Sequence, residues 1–322
     1  MAGLRRAVAT YLARRLGLAA AQLALLAVLV FLLTSLLPGD AATVRFNEYT
    51  GLEQAAALRA QLGLDRPLAE RFWHWAGDLL SGHLGTSLVS DESVGHIIAG
   101  SVGPSAVLAA VTLLIVVPAA GALGLAMALH EGGRLDRALT TATLALNAVP
   151  DFVLALALVA VFGLRLGWLP ATWIGADGTG PTARPALLVL PVAVLLARTV
   201  CLLSRQVRAG TLGALHSGYA VQARRLGVPR RTVVLRHVLP NAAVPGVQEL
   251  ARTGDHLLGG VLVVEAVFAI PGVATALIDA VRGRDTPTVQ ALTLLLAAAA
   301  LLINVAADLV CERLAPRTEV LR

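Results

Sequence analysis

The stretch "QELARTGDHLLGG", residues 248–260, sets Glu249, Arg252 and Asp255 three apart, along one stripe of a helix. Alternating carboxylate and guanidinium groups can neutralise one another or meet a zwitterionic ligand. The stripe is a candidate ligand contact, with a brace between helices as the alternative. Other reactive types lack the company that chemistry needs. Ser204 and His256 have neither a G-x-S-x-G nor an H-E-x-x-H context, so no catalytic residue is assigned. His74, His83 and His96 carry imidazoles suited to transition metals but have no close spacing, and no metal site is assigned. Cys201 and Cys311 sit in apolar runs and read as small core hydrophobes rather than a disulfide framework. No G-x4-G-K-[ST] loop is present, so the chain itself offers no nucleotide site of that kind.

Composition decides where these groups must sit. The 322 residues are 57% hydrophobic and only 14% charged, too little polar surface for a soluble domain of this length. Several apolar runs reach the ~20 residues that cross a ~30 Å hydrocarbon core at ~1.5 Å per residue. The expectation is an all-α integral membrane protein with six transmembrane helices, near 16–37, 104–129, 138–165, 186–204, 242–269 and 288–311. The first run is too long for a signal h-region and is read as a retained signal-anchor. All 26 basic residues are arginine, consistent with a GC-rich genome. Arg5, Arg6, Arg14 and Arg15 precede the first span, and Arg313, Arg317 and Arg322 follow the last. Residues 205–240 hold arginines but no Asp or Glu. By the positive-inside rule both termini and residues 205–240 are expected to face the cytoplasm. Six spans put both ends on one side, in agreement.

Two outer segments have helical patterns. Leu68, Phe72, Trp75 and Leu79 predict an amphipathic helix over the outer mouth of the bundle, and Trp73 and Trp75 suit the membrane–water interface. "FAIPGVATALIDAVRGRD" leaves the fifth span at Pro271-Gly272 and continues as a short helix. Ala274, Leu277, Ile278 and Val281 are expected to face the bundle, and Asp279, Arg282 and Arg284 water. It is a cap or an outer gate, with Glu265, Phe268, Pro271 and Gly272 as the gate's candidate residues.

The cytoplasmic stretch "YAVQARRLGVPRRTVVLRHVLP", residues 219–240, predicts an elbow. Residues 217–226 form a short helix with Tyr219, Ala223 and Leu226 on one face. Gly227 ends it, Pro229 starts the next turn, and 230–238 form a second short helix before Leu239-Pro240. Small residues at 220 and 223 would let another protein approach closely. A plain basic loop explains the arginines but not this spacing.

Ala223, Gly227 and Leu239-Pro240 resemble the coupling loop of ABC-transporter permeases of the binding-protein-dependent importer type, E-A-A-x3-G-x9-I-x-L-P. Here Val221-Gln222-Ala223 replaces the first triplet and His237 the isoleucine, a departure usual in the dipeptide/oligopeptide/nickel branch. "LPGD" (37–40), "LGLDRPL" (62–68), "HLGTS" (83–87), "VPDFV" (149–153), "LRLGWLP" (164–170), "EAVFAIPGV" (265–273), "RDTPTVQ" (284–290) and "INVAADLVCERLAPR" (303–317) resemble that branch in the same order. His83 stands where the branch usually has Asp, and Ala315 where it commonly has D-P-R.

The resemblance implies a type I ABC importer permease fold with a cytoplasmic coupling elbow. It implies a tail and first transmembrane helix at 1–37, an extracytoplasmic segment at 38–95, a transmembrane domain at 96–311 with coupling loop 217–240, and a cytoplasmic tail at 312–322. Tyr219, Ala220, Ala223, Arg224, Gly227, Leu239 and Pro240 would couple to an ATPase. The implied partners are a second homologous permease subunit, two ATP-binding cassette ATPase subunits, an extracytoplasmic substrate-binding protein and membrane lipid, with no nucleic acid. ATP and Mg would be bound by the ATPases, with no cofactor in this chain. Glu249, Arg252 and Asp255 become the candidate translocation path. Di- or oligopeptides are the expected cargo; a nickel chelate, or a six-span channel or secondary carrier, is the alternative.

Overall fold

A computed structural model describes residues 2–36, 66–174, 184–240 and 259–314, with side chains placed from residue 13 to residue 310 of these. Among the described residues the architecture is helical, and the one β feature is an isolated bridge between Thr86 and Ser93. In chain order the helices are α1 (Ala2–Leu36), α2 (Leu68–Leu80), α3 (Val94–Leu129), α4 (Arg134–Asn147) and α5 (Asp151–Leu158), which runs on as a π-helical stretch Val159–Arg165. Next come α6 (Ala186–Leu215), α7 (Gly218–Arg225), and α8 (Arg230–Thr232) with a second π-helical stretch, Val233–Val238. Then α9 (Gly259–Phe268), α10 (Val273–Arg282) and α11 (Thr286–Leu314) follow.

Four helices are long and apolar enough to cross a membrane: Ala13–Leu36, Val94–Leu129, Ala186–Leu215 and Thr286–Val310. The number rises to six if each of two bent pairs, α4 with α5 and α9 with α10, counts as one span. The unbroken third span expected at 138–165 needs correction, because the chain bends by 94° between α4 and α5. Pro150 accounts for the break. Its ring excludes the α conformation at the preceding residue, and it lacks the N–H that an unbroken helix would use. Pro104 and Pro118, by contrast, lie inside α3 without ending it. Membrane helices tolerate this where neighbours satisfy the freed carbonyls. Both α3 and α6 also run beyond their expected ends, α3 starting at Val94 and α6 reaching Leu215.

The chain divides into two compact units, one of residues 1–103 with 271–301, the other of 104–270 with 302–322. In the first, α2 packs on α1 as the amphipathic pattern anticipates. Phe31 meets Phe72 edge-on with ring centroids 5.3 Å apart, and Trp75 at 5.4 Å. Trp73 stays 72% exposed, as suits an interface anchor. Gln290 of α11 donates to the Thr34 hydroxyl of α1 at 2.7 Å.

A buried carboxylate in this unit joins two distant motifs. Buried Asp285 accepts from the Ser87 hydroxyl at 2.5 Å, the Leu88 amide at 3.0 Å and the Thr288 hydroxyl at 2.7 Å. Its carboxylate holds the 83–93 loop against the start of α11. Asp285→Ala leaves those donors without their acceptor, which costs ~1–3 kcal/mol. We expect faster proteolysis within residues 83–93 in membrane preparations; parental cleavage there would show that the tie contributes little.

α10 corrects one facing assignment. Val273, Ala274 and Ala280 are buried and Leu277 and Ile278 partly so, but Val281 is 55% exposed. The inward stripe runs through 273, 277 and 280, one residue off the expected phase. Asp279, Arg282 and Arg284 are exposed as expected.

In the second unit the core gathers Leu187, Leu190, Val194 and Leu195 of α6 against Leu108 of α3, Ala155 of α5, and Val264 and Phe268 of α9.

Candidate functional site

α6 ends at Leu215, and the elbow begins two residues later. Ser217, in extended conformation, precedes α7, and its hydroxyl donates back to the Ala214 carbonyl at 2.6 Å. α7 closes with a Schellman motif at Gly227. The Gly227 amide bonds the Arg224 carbonyl at 3.1 Å, and the Val228 amide bonds the Ala223 carbonyl at 3.1 Å. Gly227 sits at φ +77° with open space where a Cβ would go. Glycine is needed here for conformation and not for room. Pro229 then sits ahead of Arg230 with φ −53° and ψ 137°, pre-set for the next turn.

Ala214, Ala220, Val233 and Val238 form a small core under the elbow, with Leu215, Ala223 and Val228 against it. Burying the two valines contributes about 1.5–3 kcal/mol each. One assignment changes as a result. Ala220 has 0% exposure and packs on Val233 and Val238, so its small size serves the elbow's own closure and not the approach of another protein. Arg224 stays exposed while its guanidinium donates to the carbonyl of Leu215, and at 3.3 Å to that of Ala220. It caps the end of α6. Leu239 is partly buried and Pro240 exposed.

What remains outward is an apolar and basic surface. Tyr219 is 45%, Leu226 74% and Leu235 50% exposed, and Arg225, Arg231 and Arg236 are exposed around them. Tyr219 and Leu226 therefore share the outer face, while Ala223 belongs to the inner one.

The elbow is tied to the helices above it. Arg230 donates to the Leu129 carbonyl at the end of α3 at 3.2 Å, and His216 meets Glu131 at 3.2 Å. These groups line a cleft of about 540 Å³ between the elbow and the α3–α4 turn. Deeper support comes from Asp136 and Arg208, a pair separated by 72 residues that no spacing signal announces. Arg208 of α6 donates bidentately to Asp136 of α4, Nε to Oδ1 at 2.7 Å and Nη2 to Oδ2 at 2.8 Å. The Gly132 amide adds a bond at 3.0 Å.

The other assigned residues fall elsewhere. Glu249, Arg252 and Asp255 lie outside the described residues. Glu265 is fully buried and accepts from the Ser105 hydroxyl at 2.5 Å, joining α9 to α3. Phe268 is core, and its carbonyl accepts from the Trp173 amide at 2.9 Å. Pro271 is exposed, and Gly272 is the extended residue that starts α10. Among the described residues no cluster of His, Cys, Asp and Glu has metal-binding geometry.

Residues 120–320, which include the elbow, match the family described as binding-protein-dependent transport system inner membrane component. The chain belongs to this family. Residues 8–105 match its N-terminal companion, the binding-protein-dependent transport system membrane component N-terminal region. A probable peptide ABC transporter permease of Sinorhizobium fredii is 31% identical, over 95% of this chain and 98% of its own. A putative peptide permease of Brucella suis is 34% identical, over 96% and 99%. The glutathione transport system permease GsiC of Salmonella choleraesuis is 36% identical, over 95% and 97%. The chain is thus a multi-pass inner-membrane permease of an ABC importer, with the type I fold of its family.

Gly227 offers the most direct test of the elbow. A β-branched side chain at φ +77° costs at least ~1–2 kcal/mol and would misaim Arg230–Val238. We expect Gly227→Val to reach the membrane at parental abundance while transport falls severalfold. Gly227→Asn, which tolerates this backbone region, should retain most of it. Equal transport by the two variants would remove the conformational argument.

Proposed function

We propose that this permease is one half of a translocation path for short peptides, delivered from outside by a substrate-binding protein. It pairs with a second homologous permease subunit. Two ATPase subunits, which bind ATP and Mg, dock on the two cytoplasmic elbows. Both termini of this chain are cytoplasmic. Nucleotide-driven closure of the ATPases pushes the elbow, and the bundle rocks between outward and inward access as a rigid-body switch.

The observation that carries this reading is the elbow. Its inner face is consumed by Ala220, Val233 and Val238, and three carbonyls are capped by its arginines. Force on Leu226 or Leu235 would therefore pass to α6 and α3 instead of bending a loop. The cargo class is supported by relatives whose names specify peptides or glutathione, itself a short peptide.

The test is reconstitution with both ATPases, the second permease and the binding protein in proteoliposomes. ATP-dependent accumulation of labelled dipeptides and tripeptides is expected. Uptake of a nickel chelate with none of peptide would overturn the cargo reading. Failure of Tyr219→Ala/Leu226→Ala to weaken ATPase association would overturn the docking face.

A further inference from the structure

The break in the third span sets two opposite charges side by side at membrane depth. Asp151 opens α5 just after Pro150, and Arg198 projects from α6. Arg198 lies ten residues from Arg208, about 15 Å deeper along α6 at 1.5 Å per residue. That is half of a ~30 Å hydrocarbon core. The two side chains are 4.0 Å apart, Nη1 to Oδ2, beyond hydrogen-bond range. They are neither locked nor hidden: Arg198 is 47% and Asp151 20% exposed. This contrasts with the bidentate Arg208–Asp136 pair on the same helix, where Asp136 is 5% exposed. A structural brace is built like the latter. Gly260 of α9 flanks the site: a Cβ there would lie 3.2 Å from Leu195 Cδ2 and 3.8 Å from Asp151 Oδ2, so α9 passes close to the carboxylate.

We propose that Asp151 and Arg198 form an exchange site for the two charged ends of a zwitterionic cargo in transit. This deepens the peptide reading above and rests on it. Empty, the two groups neutralise each other across 4.0 Å. Occupied, Arg198 takes the cargo carboxylate and Asp151 its ammonium group. Every charge keeps a partner in both states, and none is stranded in a low dielectric, where an unpaired charge is costly. The loose pair lets cargo enter and leave. A cargo blocked at one end would leave one of the two side chains unpaired.

The test uses the complete transporter in proteoliposomes, with dialanine, N-acetyl-dialanine and dialanine amide as probes. D151N and R198Q should each cut dialanine uptake tenfold or more. ATP hydrolysis stimulated by the loaded binding protein should persist, since the elbow is untouched. The double variant D151N/R198Q, which strands no charge, should assemble normally and stay defective. Parental uptake by that double variant would mean the pair is only a brace; it overturns the proposal and leaves the peptide reading intact. In a C201A/C311A background, R198C should react with an impermeant cationic methanethiosulfonate, and saturating dialanine should slow the reaction. An unreactive thiol would place this face against lipid or the second permease and also overturns it. If the unmutated complex imports none of the three probes, the peptide reading fails and takes this site with it.

Discussion

Arg208→Met is expected to destabilise the permease by ~3–5 kcal/mol, because it strands a buried carboxylate. Asp136 is buried, and two of its hydrogen bonds come from Arg208 alone. The Gly132 and Thr140 donors that remain cannot neutralise the charge. Asp136→Asn should cost less, ~1–3 kcal/mol, because it removes the charge and keeps a polar group of the same shape. Arg208 is more exposed than its partner, at 30%, and can be solvated when unpaired. The order R208M worse than D136N, with partial recovery in R208M/D136N, can be read from thermal unfolding in detergent. Equal losses would mean that the stranded charge on Asp136 is not what destabilises R208M. Because the pair joins α4 to α6 just above the elbow, R208M should also reduce transport more than its residual folded fraction explains.

Gly124→Val should be almost as damaging, through sterics alone. A Cβ built on Gly124 would lie 2.5 Å from the Ser204 carbonyl oxygen and 2.7 Å from Val207 Cβ. The nearest obstacle is backbone, so α3 and α6 would have to move apart. Small residues allow such close approach in membrane bundles, where packing itself drives association. Overpacking a fitted contact costs ~1–3 kcal/mol, occasionally more. Gly121, one turn away on the same helix, has open space at its Cβ position. Gly121→Ala should therefore be neutral or slightly stabilising in the same assay, while Gly124→Ala already lowers the melting temperature. A neutral Gly124→Ala would show that the crossing relaxes more readily than the distances suggest.

The elbow was the most legible part of the chain. Its signals are local: Gly227 for a positive φ, Pro229 for a turn, and Leu239-Pro240 at the close. Short-range rules read these directly, and the family pattern sits on the same residues. Which face points outward was not legible. Ala220 and Ala223 both looked like a small-residue opening for a partner, yet both turn toward Val233 and Val238. Helical spacing says which residues share a face, but only the packing partner says which face is inside. The α10 stripe shifted by one residue for the same reason: Ala280 is buried where Val281 was expected, and Val281 is exposed.

By itself the sequence determined the membrane class, the apolar runs, the basic elbow and the short amphipathic helices. Composition and periodicity act over at most a few turns, and a bilayer makes hydropathy a strict rule. Tertiary structure alone decided the long-range polar pairs: Asp136 with Arg208, Ser87 with Asp285, Ser105 with Glu265, and Asp151 beside Arg198. Asp136 and Arg208 are 72 positions apart, Ser105 and Glu265 160, and Ser87 and Asp285 198. No periodicity links residues so far apart. The three hydrogen-bonded pairs form because a buried polar group must find a partner, and the partner is whichever side chain the packed helices bring within about 3 Å.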